Sequence, residues 1–304
     1  MINFRFHVVS LVAVLFSLSI GVLLGVSSEI DDATVNRLEQ AQRNLAERNE
    51  TLRGRVEELD RETERFGSFA QSSRDFLVRG ALQGSRVLIL SFESTDADQL
   101  EQIESVFLRA GATIDGSLRL SDRLDLATDA RRRQAALALE TSSGDVAELN
   151  TQLVERMVQA MSGAEAGFLS RLIEAGLGDQ REIGGVQTQP PANLAVAGTL
   201  VVILGPAKDG KPEIEQGFIV PLSAALSAAG VVTEVGEAGS SELELVAPLR
   251  EGAHSSLVTV DSVDTPMGQS ALILGLQAAL NGRFGDYGFG EGASTVLPEA
   301  APES

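Results

Sequence analysis

Two aspartates three residues apart, Asp261 and Asp264 in "TVDSVDTP", are the clearest chemistry-bearing pair in the chain. They stand just past the apolar run "SLVTV", a predicted strand, where open α/β sheets place their ligands. Paired carboxylates at that point suit a divalent ion. The same residues also read as a turn leading into a helix, with Asp264 or Thr265 as N-cap and Pro266 at the first helical position. This second reading is favoured, because no third carboxylate or histidine stands at a recognisable spacing. A metal-dependent enzyme built on the pair is the weaker alternative.

Other candidate motifs are weaker still. "GRFGDYGFGEGA" (282–293) is rich in glycine, but it follows a helix and leads into the C-terminal tail. A phosphate-cradling loop follows a strand and opens a helix, so a close-packed turn is the better reading. "ILGP" (203–206) is too short for a nucleotide fingerprint. No G-x-S-x-G elbow occurs, and a Ser–His triad would depend on His254, the only histidine beyond the N-terminal apolar segment. Soft metals want Cys, Met or His; beyond residue 28 the chain offers Met157, Met161, Met267 and His254. Met157 and Met161 are one helical turn apart, a spacing that helix-core methionines also produce. The residues therefore predict no catalytic centre and no cofactor.

Composition narrows the partners. The 43 acidic against 24 basic residues give a net charge of −19. That balance excludes nucleic acid, which is held by basic stripes that release its counterions, and it disfavours charge-driven docking on anionic lipid. Lys208 and Lys211 are the only lysines. With no cysteine there are no disulfides or thiolate sites. Tryptophan is absent and Tyr287 is the sole tyrosine, so aromatic stacking platforms for sugars or bases are scarce.

The elements that hold these residues begin with an apolar segment. Residues 6–28, including "VVSLVAVLFSLSIGVLLGV", carry no formal charge. At about 1.5 Å per residue such a helix crosses a bilayer of roughly 30 Å. An uncleaved anchor fits better than a signal peptide, whose apolar region is shorter and ends at a small-residue cleavage site; "GVSS" matches such a site only weakly. Arg5 on one flank and Glu29, Asp31 and Asp32 on the other predict a cytoplasmic N-terminus, with everything after residue 28 outside the inner membrane. Ser17, Gly21 and Gly25 form a small-xxx-small series that lets two such helices approach closely in lipid.

Residues 29–67 then read as a coiled coil. Leu38, Leu45, Leu52, Leu59 and Phe66 fall at successive d positions, with Val35, Gln42, Asn49, Val56 and Thr63 at a. Five d positions without a lapse predict self-association. Asn49 at a can pair with its twin in a parallel two-stranded coil, and two anchors inserted the same way enforce that orientation. Two rivals are a solvated single helix with i,i+4 ion pairs and a stripe that packs on the chain's own globular part.

Residues 68–84 read as a junction, with Gly67, Gly80 and Gly84 as breaks, and 85–292 as an α/β domain. "SRVLILSFE", "DADQLEQIESVFLRAG" and "ATIDGSLRL" make strand, helix and strand; "GTLVVILGP", "PEIEQGFIVPLSAALSAAG" and "VVTEVGE" repeat the order. Residues 122–176 are a helical insertion, with Leu149, Leu153 and Met157 on one stripe. A final strand–loop–helix covers "SSLVTVDSVDTPMGQSALILGLQAALNG", and 293–304 read as a disordered tail. The fold class is thus α/β: transmembrane helix (1–28), parallel coiled coil, and a Rossmann-like parallel-sheet domain.

The opening "INFRFHVVSLVAVLFSLSIGVLLG" and the closing "SSLVTVDSVDTPMGQ", "LILGLQ" and "NGRFGDYGFGEGA" resemble the actinobacterial MctB family of copper transport outer membrane proteins. The chain is also similar to the corynebacterial relative SteB. The resemblance implies a cell-envelope protein of mycolic-acid bacteria and their kin. It attaches two functional pictures: copper efflux or tolerance, and partnership with the membrane protein SteA in envelope assembly and division. It supplies no catalytic residues. The expectation is a non-enzymatic, membrane-anchored homodimer that presents its α/β domain to a SteA-like partner, with a copper-efflux component as the rival.

Overall fold

The computed structural model describes residues 4–28, 32–165, 167–183, 197–205, 210–241, 245–252 and 256–299. The chain divides into two compact units, residues 1–66 and 67–304.

The first unit is helical. Helix α1 (Phe4–Ser28) is apolar on every side, and over Phe6–Gly25 it is long and apolar enough to cross a membrane. Its Ser17 and Ser19 hydroxyls donate to the carbonyls of Val14 and Leu15, which satisfies both within the helix. Helix α2 (Asp32–Leu77) runs for 46 residues. Gly67 lies inside it, so the first ten residues of the expected junction are helix. A single helical glycine costs only about 1 kcal/mol and does not end a long helix.

The second unit is a mixed α/β body. Strands β1 (Arg86–Phe92), β2 (Thr113–Leu120), β3 (Gly178–Arg181), β4 (Leu200–Leu204), β5 (Thr233–Gly236), β6 (Leu257–Val260) and β7 (Asp286–Tyr287) form one sheet in the order β3-β2-β1-β4-β5-β6-β7. All pairings are parallel except β2–β3, so the wholly parallel sheet expected from the sequence is corrected at one edge. The four residues of β3 follow α6 through a short turn and run antiparallel to β2 at the edge of the sheet.

Helices cover both faces, as parallel strands require. On one face lie α4 (Asp129–Leu139), α5 (Val146–Met161), α6 (Phe168–Glu174), α8 (Val220–Ala228) and α9 (Val246–Arg250). The short α7 (Pro212–Ile214) and a π-turn (Glu215–Ile219) lead into α8. On the other face lie α3 (Ala97–Arg109) and α10 (Pro266–Leu280). Helix α3 shows why the pattern was readable. Asp96 caps it by accepting from the Gln99 amide, Leu100, Ile103, Val106 and Phe107 face the sheet, and Gly111 (φ +85°) takes the left-handed turn that ends it.

The C-terminal end of α2 belongs to this body. Val78 and Leu82, just beyond it, enter the core beside α3 and α10. Arg74, its side chain only 7% exposed, donates to Gln269 on α10 and to Asp75, and Asp75 also meets Arg109 at 3.7 Å.

One buried group stands out. Glu234 on β5 is fully enclosed, and neither carboxylate oxygen has a hydrogen-bond partner among the described residues. Helix α10 comes so close that a methyl on Gly275 would lie 2.8 Å from its Oε1. Burial pushes its carboxyl well above the ordinary 4.5. Between 4.5 and that raised value the folded chain holds a proton that the unfolded chain has lost. Stability therefore falls as pH rises through this window. Glu234→Gln, neutral at every pH, flattens the fall and is the more stable of the two proteins at neutral pH. Urea unfolding of both proteins between pH 5 and pH 8 checks it; parallel curves contradict it.

Candidate functional site

The carboxyl ends of β5 and β6 bring together residues from four segments. Asp261 leaves β6 at the point where the chain turns toward α10, and its carboxylate is only 9% exposed. Its Oδ1 accepts from the Phe289 amide at 2.7 Å and from the Ser262 hydroxyl at 2.9 Å. Its Oδ2 accepts from the Gly290 amide and from Arg250 Nη2, both at 2.9 Å. Burial alone would raise this carboxyl, but those donors outweigh it and hold Asp261 below its ordinary value.

Arg250, at the end of α9, is the hub of the corner. Its side chain is 3% exposed; besides Asp261 it donates to Thr259 Oγ1 and to the carbonyls of Tyr287 and Glu291. Thr259 Oγ1 in turn donates to Asp286 at 2.7 Å. One guanidinium thus ties α9, β6, β7 and the loop after β7 into a single knot of charge-assisted bonds. The glycine-rich run 282–293 spans β7 and this loop. At Gly288 (φ +124°) a methyl would overlap the Asp261 carboxylate, and at Gly290 it would sit 3.0 Å from Oδ2. Glycine is required because the loop backbone closes directly on the buried carboxylate. Phe289, between the two glycines, is left 61% exposed at the tip.

Asp264 does not join Asp261. Its Oδ1 accepts from the Gly239 amide at 2.8 Å and pins the loop after β5, while Thr265 caps α10 by accepting from Gly268, with Pro266 in the first turn. Between these loops lies a cleft of about 290 Å³ lined by Glu237, Gly239, Arg250, Ser262 and Phe289. Burial pushes the Glu237 carboxyl above its ordinary value, although the amides of Val246 and Leu245 and the charge of Arg250 pull the other way. Each charged group named here is already held by protein donors or acceptors. Among the described residues no three His, Cys, Asp or Glu side chains form a group able to hold an ion. Of the soft-ligand candidates, Met157 and Met161 are buried in the α4–α6 core, Met267 is half-buried in the first turn of α10, and His254 lies outside the described residues.

The predicted association residues take a different setting. Leu38 and Leu45 are each 65% exposed, Leu52 59%, Val56 55%, Leu59 60% and Phe66 71%, and Asn49 is exposed among them. Ser17, Gly21 and Gly25 lie on α1, with open space where a Cβ at either glycine would stand. Sequence reasoning missed Arg250 and the Arg74–Gln269 contact, since no spacing links those residues to their partners.

Comparison with known proteins agrees with the end motifs. Residues 1–298 match the family described as "Copper transport outer membrane protein, MctB". A Mycobacterium tuberculosis protein named "Copper transporter MctB" is 27% identical over 97% of this chain and 99% of its own length. The Mycobacterium leprae protein of the same name is 26% identical over the same shares. With the match running from the apolar helix through the knot around Asp261, this chain belongs to the MctB family.

Proposed function

We propose that the protein is a membrane-tethered, parallel homodimeric envelope protein whose coil holds an α/β domain outside the inner membrane for a partner in envelope assembly or division. In this reading α1 is the anchor, with Ser17, Gly21 and Gly25 at its helix contact, and the N-terminus is cytoplasmic. The partner is a SteA-like membrane protein by resemblance. Residues 29–67 form the coil, and the domain is Rossmann-like, a reading supported by the strand order and by the change of direction between β1 and β4. The observation that carries the proposal is the exposed leucine series. A run of large apolar side chains at seven-residue spacing is stable in water only when another surface covers it.

The names of the relatives favour a second reading, a component of copper export with the ion as cargo. Cellular copper and septum shape in a deletion strain, read beside Cu(I) titration of the full-length protein, separate the two. Defective septa with unchanged copper is the expected result. Raised copper together with stoichiometric Cu(I) binding overturns it in favour of the second reading.

A further inference from the structure

The apolar series on α2 does not stop at Phe66. On the part of the helix that belongs to the α/β body, Phe69 is 70% exposed, Phe76 80% and Leu77 45%. The neighbouring residues Arg74 and Val78 are buried against that body. This helix end therefore has one face committed to its own domain and another that is aromatic and open.

The spacing identifies what the open face continues. Leu38, Leu45, Leu52, Leu59 and Phe66 are seven apart, and so are Phe69 and Phe76; the two sets are offset by three residues. A three-residue insertion in a heptad series is a stammer, which overwinds a coiled coil locally and carries the seam on to new positions. Phe66, Phe69 and Phe76 at this exposure offer on the order of 400 Å² per copy, if a buried aromatic covers about 150–250 Å². A standard interface takes about 800 Å² from each partner, so this stretch is a large share of what a stable dimer needs.

We propose that Phe69 and Phe76 pack against the same residues of a second copy, so that the seam passes through a stammer and joins the two α/β bodies at their roots. This rests on the coiled-coil reading of residues 35–66 and extends it. The occupant is a second copy because the stripe lies in the same helix as the leucine series. A parallel partner that covers the leucines delivers its own phenylalanines to the same level.

The chain contains no cysteine, so single cysteines report contacts cleanly. Leu52→Cys, Phe76→Cys and Arg79→Cys are made separately in the full-length protein, in intact membranes, and treated with a mild thiol oxidant. A disulfide forms only when the two Cα atoms come within about 7 Å. Dimers from Leu52→Cys and Phe76→Cys, with none from the exposed Arg79→Cys, is the expected result. Leu52→Cys dimers without Phe76→Cys dimers overturn the extension and leave the coil intact. Loss of both overturns the coil and the extension together. An adduct of Phe76→Cys with a protein of different mass overturns the choice of occupant. As a second measurement, Phe69→Glu with Phe76→Glu weakens dimerisation in detergent at least tenfold by light scattering; unchanged association overturns the proposal.

Discussion

Gly268→Ala destabilises the α/β body by about 3 kcal/mol or more, although an alanine inside a helix is ordinarily the stabilising choice by about 0.5–1 kcal/mol. The reversal of sign comes from the turn that precedes α10. Ser262, with φ +58°, folds the chain back so that its carbonyl accepts from the Thr265 amide and hydroxyl, at 2.9 and 2.8 Å. That carbonyl lies directly over the first turn of the helix. A methyl at position 268 would overlap the Ser262 carbonyl and come within 2.9 Å of the Asp261 carbonyl oxygen. Both obstacles are backbone, and no rotamer change moves them. Relief requires opening the turn, and the turn positions Asp261. Gly275→Ala, deeper in the same helix, meets side-chain atoms, those of Glu234, Val258 and Tyr287, and loses less, about 1–3 kcal/mol. Urea unfolding of the full-length protein in detergent measures both, followed by fluorescence of Tyr287, the sole tyrosine. A Gly268→Ala midpoint within about 0.5 kcal/mol of the parent contradicts the argument.

What could be read in advance follows from where the physical signal is local. Strands β1, β4 and β6 were legible because strands buried on both faces of a sheet become short apolar runs, and β2 and β5 because each follows a helix that ends in "AG". Their helices were legible because capping residues and terminal glycines punctuate them. Strand β3, "GDQR", carries no apolar residue and is an edge strand of four residues, so nothing in its composition marks it. Residues 293–299, read with the tail, are tied back through hydrogen bonds from Ser294 to Asp286 and from Gly288 to Thr295. Nothing local distinguishes them from a solvated segment. The end of α2 was misplaced for a different reason. The register of leucines ends at Phe66 and Gly67 follows, so the offset phenylalanines fell outside the heptad count.

The site divides along the same line. That Asp261 and Asp264 begin a turn and a helix was legible from Thr265 and Pro266. The work of Asp261 was not, because its donors arrive from Arg250 and from residues 289–290, and only folding brings them within 3 Å. The glycine-rich loop was recognisable as a close-packed turn. What it packs on is a carboxylate far from it in sequence, and that fact explains why glycine recurs there. A motif specific enough to identify the family is here the wrapping of one buried ion pair. Its outward product is a hydrogen-bonded loop carrying an exposed Phe289.

Arg250→Met is accordingly the side-chain substitution with the largest expected loss, about 3–5 kcal/mol. Removing one partner leaves the other charge buried and underpaired, which costs far more than the intact pair contributes. The methionine fills part of the volume but takes the guanidinium donor from the Glu291 carbonyl and leaves the Tyr287 carbonyl only the Asp261 amide, so the loop after β7 loosens as the core weakens. Acid titration gives the loss a signature. In the parent protein the donors around Asp261 hold it below the ordinary 3.8, so its contribution is present above that pH and is lost as pH falls through the depressed native value. Without the guanidinium the carboxyl rises and that contribution shrinks. The gap between parent and variant is therefore widest near neutral pH and narrows below about pH 4. Asp261→Asn in the Arg250→Met background recovers part of the loss, since no charge is then left without its partner. A double variant as unstable as the sum of the two single changes would mean that the pair is not coupled, and the loop would have to be held by its backbone contacts alone.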